Sequence, residues 1–301
     1  MKKLVIWLLS VLLIVVAVDL LFGLGARYYL RTHSLKGDYR SADYLIKDSV
    51  DELVVLGSSV ALNSINTKAI SDSLGISAFN GGSNGQNFPY FLTMLEIIAT
   101  KPGIKTVILG MKESSLYGSG LGSRYNFLVP YYKTGLKGID ERLENNSKLD
   151  KFFLRSSLYR YNTIWFRILL YMFIEPGIQG ERGFIAKDVP AVFPHKLTPV
   201  SEPYDTVTAE RAHEFEQFVR ICNEHDIRLI VCIPPRFENE HLSAAETFLR
   251  NRAQTDDFEL WYDLSSTPLS TDSTLFYDDV HLNYLGAKIY TDTIISRLKK
   301  Q

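Results

Sequence analysis

Short apolar runs alternate with amphipathic stretches in two parts of the chain. Three apolar runs separated by two helix-like stretches occur between residues 51 and 114, and two further runs, each followed by a helix-like stretch, occur between 207 and 301. Short apolar runs bounded by turn residues are typical of strands buried on both faces. Their alternation with helices indicates a parallel sheet. The sequence therefore predicts an α/β fold with about five parallel strands.

The pattern also predicts the positions of the elements. The predicted strands are 52–57, 76–80, 105–110, 228–233 and 258–264, and the predicted helices are 66–74, 87–101, one that begins near 207, 241–254 and one that begins at Asn283. Gly75 and Pro102 are residues that end helices. Asn283 is a residue type that caps the start of a helix.

The N-terminal segment is the most apolar part of the chain. Lys2 and Lys3 precede an almost unbroken apolar stretch, 4–26, which as a helix would be about 34 Å long and so can cross a bilayer. Because no clear cleavage site follows it, residues 1–26 are expected to be a single-pass signal anchor. The rest of the chain would be extracytoplasmic, either periplasmic or on the cell surface. Asp19 is expected to face the membrane interface, with contact to a partner helix as the alternative.

Two other segments do not fit the alternating pattern. Residues 27–50 are polar and rich in tyrosine, which favours a stalk before a catalytic domain at 51–301. An insertion or cap at about 115–205 interrupts that domain. The insertion contains an apolar and aromatic run, 165–174, that is too short to span a bilayer. We expect a buried helix there; the alternative is a surface helix in contact with the bilayer or a membrane partner.

Composition narrows the possible functions. The net charge of −1 gives no electrostatic argument for binding nucleic acid. Cys222 and Cys232 are the only cysteines and are expected to be buried thiols rather than a disulfide framework. No Cys/His cluster has the spacing of a zinc site, and neither a metal nor another cofactor is expected.

Three residues that follow predicted strands have the chemistry of a catalytic triad. Ser59 follows the first strand, and Asp278 and His281 lie in the loop after the fifth. Reactive groups collect at the carboxyl ends of parallel strands. His281 can act as the base that activates Ser59, and Asp278 can fix the tautomer of the ring. Each motif taken alone also fits an ordinary turn, helix cap or exposed loop.

Stabilisation of an oxyanion is the other requirement of acyl transfer. The backbone N–H groups of Ser59 and Gly85 are candidate donors. Glycine at position 85 allows a backbone conformation with positive φ.

These motifs resemble those of the SGNH (GDSL-type) hydrolase superfamily, especially its membrane-anchored extracytoplasmic branches. Gly57-Ser58-Ser59 resembles the first block of that superfamily, with Ser58 in place of the acid and Ser59 as nucleophile. Residues 80–85 resemble the second block, whose oxyanion glycine falls on Gly85, and 278–281 resembles the terminal Asp-x-x-His. The resemblance covers 51–114 and 207–301, and it implies a three-layer sandwich with a flavodoxin-like sheet.

The chain departs from the third conserved block of the superfamily, which follows the third strand. The asparagine of that block, which donates to the oxyanion, has no counterpart between Gly110 and Ser114. Loss of one such donor can cost about 10²–10³ in rate. Asn87, Lys112 and Ser114 are candidate replacements.

The resemblance implies a membrane-anchored serine esterase or O-acyltransferase. Its expected substrate is an acylated, in particular O-acetylated, polysaccharide or peptidoglycan of the cell envelope. The alternative is a non-catalytic SGNH-like envelope assembly protein that binds a glycan or a membrane acyltransferase partner. A third hypothesis, an unrelated flavodoxin-like binding domain, requires Ser59 and His281 to lie far apart.

Overall fold

The computed structural model describes residues 1–174, 180–188, 206–237, 243–263 and 268–300. The helices are α1 (Lys2–Thr32), α2 (Arg40–Lys47), α3 (Ser59–Ser64), α4 (Thr67–Leu74), α5 (Phe88–Ile98), α6 (Lys137–Asn146), α7 (Lys148–Phe153), α8 (Ser157–Phe173), α9 (Ala209–Glu224), α10 (Ala244–Arg252) and α11 (Tyr284–Lys299). The strands are β1 (Leu53–Gly57), β2 (Ala78–Asn80), β3 (Thr106–Gly110), β4 (Arg228–Ile233) and β5 (Glu259–Tyr262). Short 3-10 helices lie at Gly37–Tyr39, Glu113–Leu116, Ser123–Tyr131, Glu181–Gly183, Pro268–Thr271 and Ser273–Leu275.

The five strands form one parallel sheet in the order β2-β1-β3-β4-β5. This confirms the predicted α/β fold with five parallel strands. The chain moves outward from β1 to β2 and then returns to the other side of β1 to form β3. The direction of strand addition therefore reverses between β1 and β3. In open α/β sheets, the crevice at such a reversal point, beyond the carboxyl ends of the strands, is where ligands bind.

The three inner strands, β1, β3 and β4, are buried along almost their whole length. All five residues of β1 are buried, as expected for a strand inside a parallel sheet. Aromatic rings of α5 and α9 meet each other, with Phe88 close to Phe215 and Phe218. On α11, Ala287, Tyr290 and Ile294 belong to a buried cluster that includes residues of β1, β3 and β4.

Both cysteines are free and buried, as predicted. Burial raises the pKa of the Cys222 and Cys232 thiols to about 12. Neither thiol is therefore a reactive group near neutral pH.

The turn between β1 and α3 requires glycine at position 57. Gly57 has a φ of +148°, and a Cβ on it would lie 1.8 Å from the carbonyl oxygen of Gly110, its register partner on β3. The next residue, Ser58, donates its backbone N–H to the same oxygen at 3.3 Å. Only a residue without a side chain allows the chain to turn this close to β3.

The chain divides into two compact units. The α/β unit comprises Ser41–Tyr125 and Ile178–Gln301, and the helical unit comprises Met1–Arg40 and Asn126–Gly177. The segment predicted as a stalk, 27–50, contributes to both. Its first residues continue α1, whereas Ala42, Asp43 and Leu45 of α2 are buried in the α/β unit. The helical part of the predicted insertion belongs with α1 rather than with the sheet.

Within the helical unit, α1 is long and apolar enough to span a membrane, and none of its most apolar window is buried. Asp19 was expected to face the membrane interface, with contact to a partner helix as the alternative. Its carboxylate accepts hydrogen bonds from the start of α8, so contact with a partner helix, the alternative, is observed. The prediction that the run 165–174 is a buried helix is wrong, because Trp165, Phe166 and Phe173 are exposed.

Gly57→Ala should destabilise the protein by about 3 kcal/mol or more, because the new Cβ would overlap a backbone oxygen in an unfavourable φ region. Gly75→Ala is the matched control. Gly75 has a φ of +70° and open space where a Cβ would lie, so its cost should be only about 1 kcal/mol. Urea unfolding of the detergent-solubilised protein measures both, and equal losses would contradict the steric explanation.

Candidate active site

Ser59, His281 and Asp278 form a continuous hydrogen-bonded chain in the α/β unit. The Ser59 Oγ lies 2.7 Å from His281 Nε2. On the other side of the ring, His281 Nδ1 lies 2.9 Å from both carboxylate oxygens of Asp278. The three residues predicted from the sequence are thus brought together at distances at which a serine, a base and an orienting acid can act.

The position of Ser59 comes from the short helix α3. Ser59 is the first residue of α3, so its backbone N–H is one of the amides that have no acceptor within the helix. Its side chain is partly exposed, whereas the side chains that follow it, Val60 to Ser64, are buried. The serine hydroxyl and a backbone donor therefore lie together just beyond the carboxyl end of β1.

The loop before α11 fixes the other two members of the triad. Asp278 Oδ1 accepts hydrogen bonds from the backbone N–H groups of Val280 and His281 at 2.9 and 2.8 Å. Asn283 caps α11 by accepting from the N–H groups of Leu285 and Gly286. Its amide also donates to backbone carbonyls on the preceding side of the loop. The capping residue predicted from the sequence therefore also holds the loop closed.

These bonds keep Asp278 ionised. Burial by itself would raise the pKa of Asp278, but hydrogen bonds and charge from His281 and the two backbone donors outweigh it. The pKa lies below its ordinary value. A carboxylate that remains charged fixes the proton of the imidazole on Nδ1 and leaves Nε2 free to accept the serine proton.

Gly85 lies in a loop that is tied to the nucleophile turn. It has a φ of +68°, and a Cβ there would lie 3.1 Å from the Arg124 side chain. Two residues earlier, the Ser83 N–H donates to the Gly57 carbonyl at 3.0 Å. The buried amide of Asn80 donates to the carbonyls of Ala61 and Ile65. Asn80 thus couples this loop to α3, a positioning role that the resemblance did not identify.

Three residues, Asn87, Lys112 and Ser114, were predicted as replacements for the missing asparagine. Their positions in the structure do not assign the role of oxyanion donor to one of them. Asn87 precedes α5, and its side chain packs beside Gly122. Lys112 directly precedes the 3-10 helix at Glu113–Leu116, and Ser114 lies inside it. Which group completes the oxyanion site therefore stays a prediction.

Glu113, a buried carboxylate just after β3, was not predicted from the sequence as a site residue. It accepts hydrogen bonds from the Ser243 and Tyr262 hydroxyls, and Arg236 lies 3.6 Å away. Burial, together with this carboxylate, raises the pKa of Tyr262, so the phenol stays protonated and donates. These residues join the ends of β3, β4 and β5. The sequence did hold a signal for Glu113, since an acidic residue three positions after a predicted strand is a candidate site residue.

Backbone contacts connect that network to the triad loop. The N–H of Phe237, the residue after Arg236, donates to the carbonyl of Asp279 at 3.2 Å, and the rings of Phe237 and Phe276 meet edge to face. The segment that follows β4 therefore supports the loop that carries Asp278 and His281.

A segment of the predicted insertion also reaches the site. Ile185 exchanges hydrogen bonds with α3, donating to the Leu62 carbonyl and accepting from the Asn63 amide. The carbonyl of Lys187 accepts from the N–H of Tyr284, the first residue of α11. Residues 185–187 thus bridge the helix that starts with the nucleophile and the helix that follows the base.

Among the residues that the structure describes, no group of three His, Cys, Asp or Glu side chains is arranged to hold a metal ion. The sequence matches no known family model, and no characterised protein has significant similarity to it. The chemical interpretation of the site therefore depends on its geometry.

Asp278→Asn should lower the free energy of unfolding more at pH 7 than at pH 3. The folded-state pKa of Asp278 is depressed, so its charge stabilises the protein above the ordinary value of about 3.9. That contribution is lost as the pH falls through the folded-state pKa. Urea unfolding of the wild type and the variant at both pH values tests this, and a difference that grows toward acid pH would refute it.

Proposed function

We propose that the chain is a membrane-anchored serine esterase or O-acyltransferase of the cell envelope. The observation that carries this proposal is the hydrogen-bonded series from Ser59 through His281 to Asp278, at 2.7 and 2.9 Å. A lone serine at a strand end is common, but a serine bonded to Nε2 of a histidine whose Nδ1 meets a carboxylate is the arrangement that makes a hydroxyl nucleophilic.

In the first half-reaction, the Ser59 Oγ attacks the carbonyl carbon of an ester while His281 Nε2 takes the serine proton. The carbonyl oxygen becomes negatively charged and is stabilised by backbone donors, for which Ser59 and Gly85 are the candidates. The tetrahedral intermediate then loses its alcohol, which takes the proton from His281, and an acyl group remains on Ser59. Asp278 stabilises the imidazolium in each transfer and keeps its own negative charge.

In the second half-reaction, water or a sugar hydroxyl attacks the acyl group after giving its proton to His281. Attack by water releases a carboxylic acid, and attack by a sugar hydroxyl yields a new ester; in both cases Ser59 regains the proton. The side chain of His281 is only 20% exposed, so protein groups surround most of the ring. The acceptor that reaches the acyl group decides between hydrolysis and transfer.

The proposal includes membership of the SGNH superfamily, with its three-layer sandwich and flavodoxin-like sheet. The strand order, the position of Ser59 after β1 and the loop that carries Asp278 and His281 support it. A helix long enough to span a membrane supports anchoring, with the catalytic part outside the cytoplasm. We therefore propose O-acetylated polysaccharide or peptidoglycan as the substrate.

The second candidate is a non-catalytic assembly protein that uses the same fold to bind a glycan or a membrane acyltransferase. One specific observation favours it: the segment after β3, residues 110–114, lacks the asparagine that donates to the oxyanion in the superfamily. Such a protein would retain the bonded triad without turning over an ester.

Detergent-solubilised full-length protein should hydrolyse a small acetyl ester and should be labelled by a fluorophosphonate. Ser59→Ala should abolish the labelling and lower the rate of hydrolysis by at least about 10³-fold, because the nucleophile is lost. His281→Ala should have a comparable effect, since the two groups act as one unit. Rates of ester hydrolysis and in-gel fluorescence measure these outcomes.

Ser58→Ala is the matched control. The neighbouring Ser58 side chain is 2% exposed, and its hydroxyl has no hydrogen-bond partner among the residues described, so its removal should leave labelling and activity nearly unchanged. Hydrolysis that survives Ser59→Ala would refute the proposal. A folded wild type that neither hydrolyses the ester nor reacts with the fluorophosphonate would favour the non-catalytic alternative.

A further inference from the structure

The carboxylate of Asp19 caps the first turn of α8. Asp19 Oδ1 accepts from the Ser156 hydroxyl at 2.6 Å and from the Leu158 N–H at 2.9 Å, and Oδ2 accepts from the Ser157 N–H at 2.9 Å. The start of a helix leaves backbone N–H groups without acceptors and favours negative charge. Asp19 therefore meets both requirements of α8 from within α1.

Packing continues from this contact along both helices. Phe22, one turn after Asp19, meets the rings of Tyr161 and Trp165 edge to face. The Ser157 side chain occupies the space that a Cβ on Gly23 would need. Since later residues of α1 meet later residues of α8, the two helices run side by side in the same direction from the level of Asp19.

The level of Asp19 is inside the apolar part of α1. Asp19 lies about four turns after Leu4, or about 22 Å along the helix axis, whereas the hydrocarbon core of a bilayer is about 30 Å thick. If the core begins near Leu4, Asp19 is about 8 Å below the opposite boundary. The first residues of α8, which are bonded to Asp19, must then lie at the same depth.

The corner between α7 and α8, residues 152–158, has the composition that this depth requires. Its sequence is Phe-Phe-Leu-Arg-Ser-Ser-Leu, and Phe152, Phe153 and Leu158 are exposed, Phe152 by 64%. Exposed aromatic rings at this level are costly in water and favourable among acyl chains. Asp19 accepts from the Ser157 and Leu158 N–H groups and Ser156 Oγ accepts from the Tyr159 N–H, so the start of α8 has the acceptors that hydrocarbon surroundings demand.

Two arginines, Arg155 and Arg160, lie in or next to the corner. The Arg160 guanidinium is buried, and it donates to the Ser157 hydroxyl oxygen at 2.8 Å. Arg155 is the one charged residue of the corner, and it is exposed. A long arginine side chain can keep its apolar part among lipid tails while its guanidinium reaches the phosphate groups.

We propose that the α7–α8 corner inserts into the bilayer that α1 spans, in the leaflet at the carboxyl end of α1. Phe152, Phe153 and Leu158 enter the acyl-chain region, and Asp19 fixes the depth of the corner by capping α8. The partner of this surface is lipid, and the helical unit is a membrane-inserted anchor with two points of attachment. The proposal rests on the anchoring role of α1 but does not depend on the esterase activity.

The test uses three variants of the full-length protein, each with one introduced cysteine that carries an environment-sensitive fluorophore. The proteins are placed in vesicles of phosphatidylcholine and phosphatidylglycerol. Phe153→Cys reports on the corner, Ile14→Cys on α1, and Asn145→Cys, an exposed residue of the polar helix α6, serves as the control. Cys222 and Cys232 are fully buried, so the unsubstituted protein is the blank for labelling. Doxyl-labelled lipid quenches inserted probes, and iodide quenches exposed ones.

We expect the labels at 14 and 153 to be quenched by doxyl lipid and shielded from iodide several-fold relative to the label at 145. A label at 153 that behaves like the one at 145, while the label at 14 is quenched by lipid, overturns insertion of the corner and leaves the anchor intact. Exposure of the label at 14 to iodide overturns the anchor and the corner together. Neither outcome alters the esterase test, which reports on Ser59.

A second pair of variants tests the role of Asp19 in the Phe153→Cys protein. Asp19→Leu removes both carboxylate oxygens that accept from Ser156, Ser157 and Leu158, so the label at 153 should become several-fold more accessible to iodide. Asp19→Asn retains one side-chain oxygen that can accept from the backbone N–H groups and should keep most of the shielding. Equal shielding in the wild type and in Asp19→Leu would show that Asp19 does not set the depth of the corner.

Discussion

The position of the nucleophile depends on the close approach of β1 and β3 where both strands end. Gly57 and Gly110 are register partners, and the carbonyl of Gly110 occupies the space that a side chain on Gly57 would need. Gly110 is itself confined, since a Cβ there would lie 2.8 Å from Cβ of Ala61 on α3. The pair of glycines therefore allows α3 to begin directly over the sheet edge, with Ser59 at its first position.

The position of the base follows from how α11 is fastened to the same region. The N–H of Asn66 donates to the Thr291 hydroxyl at 3.0 Å, and that hydroxyl donates to the Ser64 carbonyl at 3.3 Å. Thr291 is thus bonded to the end of the helix that begins with the nucleophile. His281 lies just before α11, and Ser59 lies at the start of α3. The buried Thr291 therefore helps to hold these two residues, which are far apart in the sequence, at a fixed distance from each other.

Sequence patterns were informative where the chemistry is local and repetitive. Apolar runs located all five strands, and the Asp-x-x-His motif located a loop in which Asp278 bonds to its own neighbours, Val280 and His281. Helix α3 was missed because its six residues are too few to display a helical period. Asn80 was assigned to a motif but not to a role, because its bonds to Ala61 and Ile65 exist only after β2 has paired with β1. Glu113 was missed for a similar reason, since its partners come from the distant ends of β4 and β5.

Hydrophobic periodicity reports that a face avoids water, but it does not say whether protein or lipid covers that face. For this reason the run 165–174 was expected to be buried, whereas several of its side chains are exposed. The hydrogen bonds of Asp19 show how two helices can satisfy their polar groups in apolar surroundings. A carboxylate inside an apolar helix is costly unless its charge is matched, and here α8 supplies two N–H groups and a hydroxyl at close range. The requirement is mutual, because the first turn of α8 needs an acceptor that hydrocarbon cannot provide. Each helix therefore makes the other compatible with an apolar environment at the same depth.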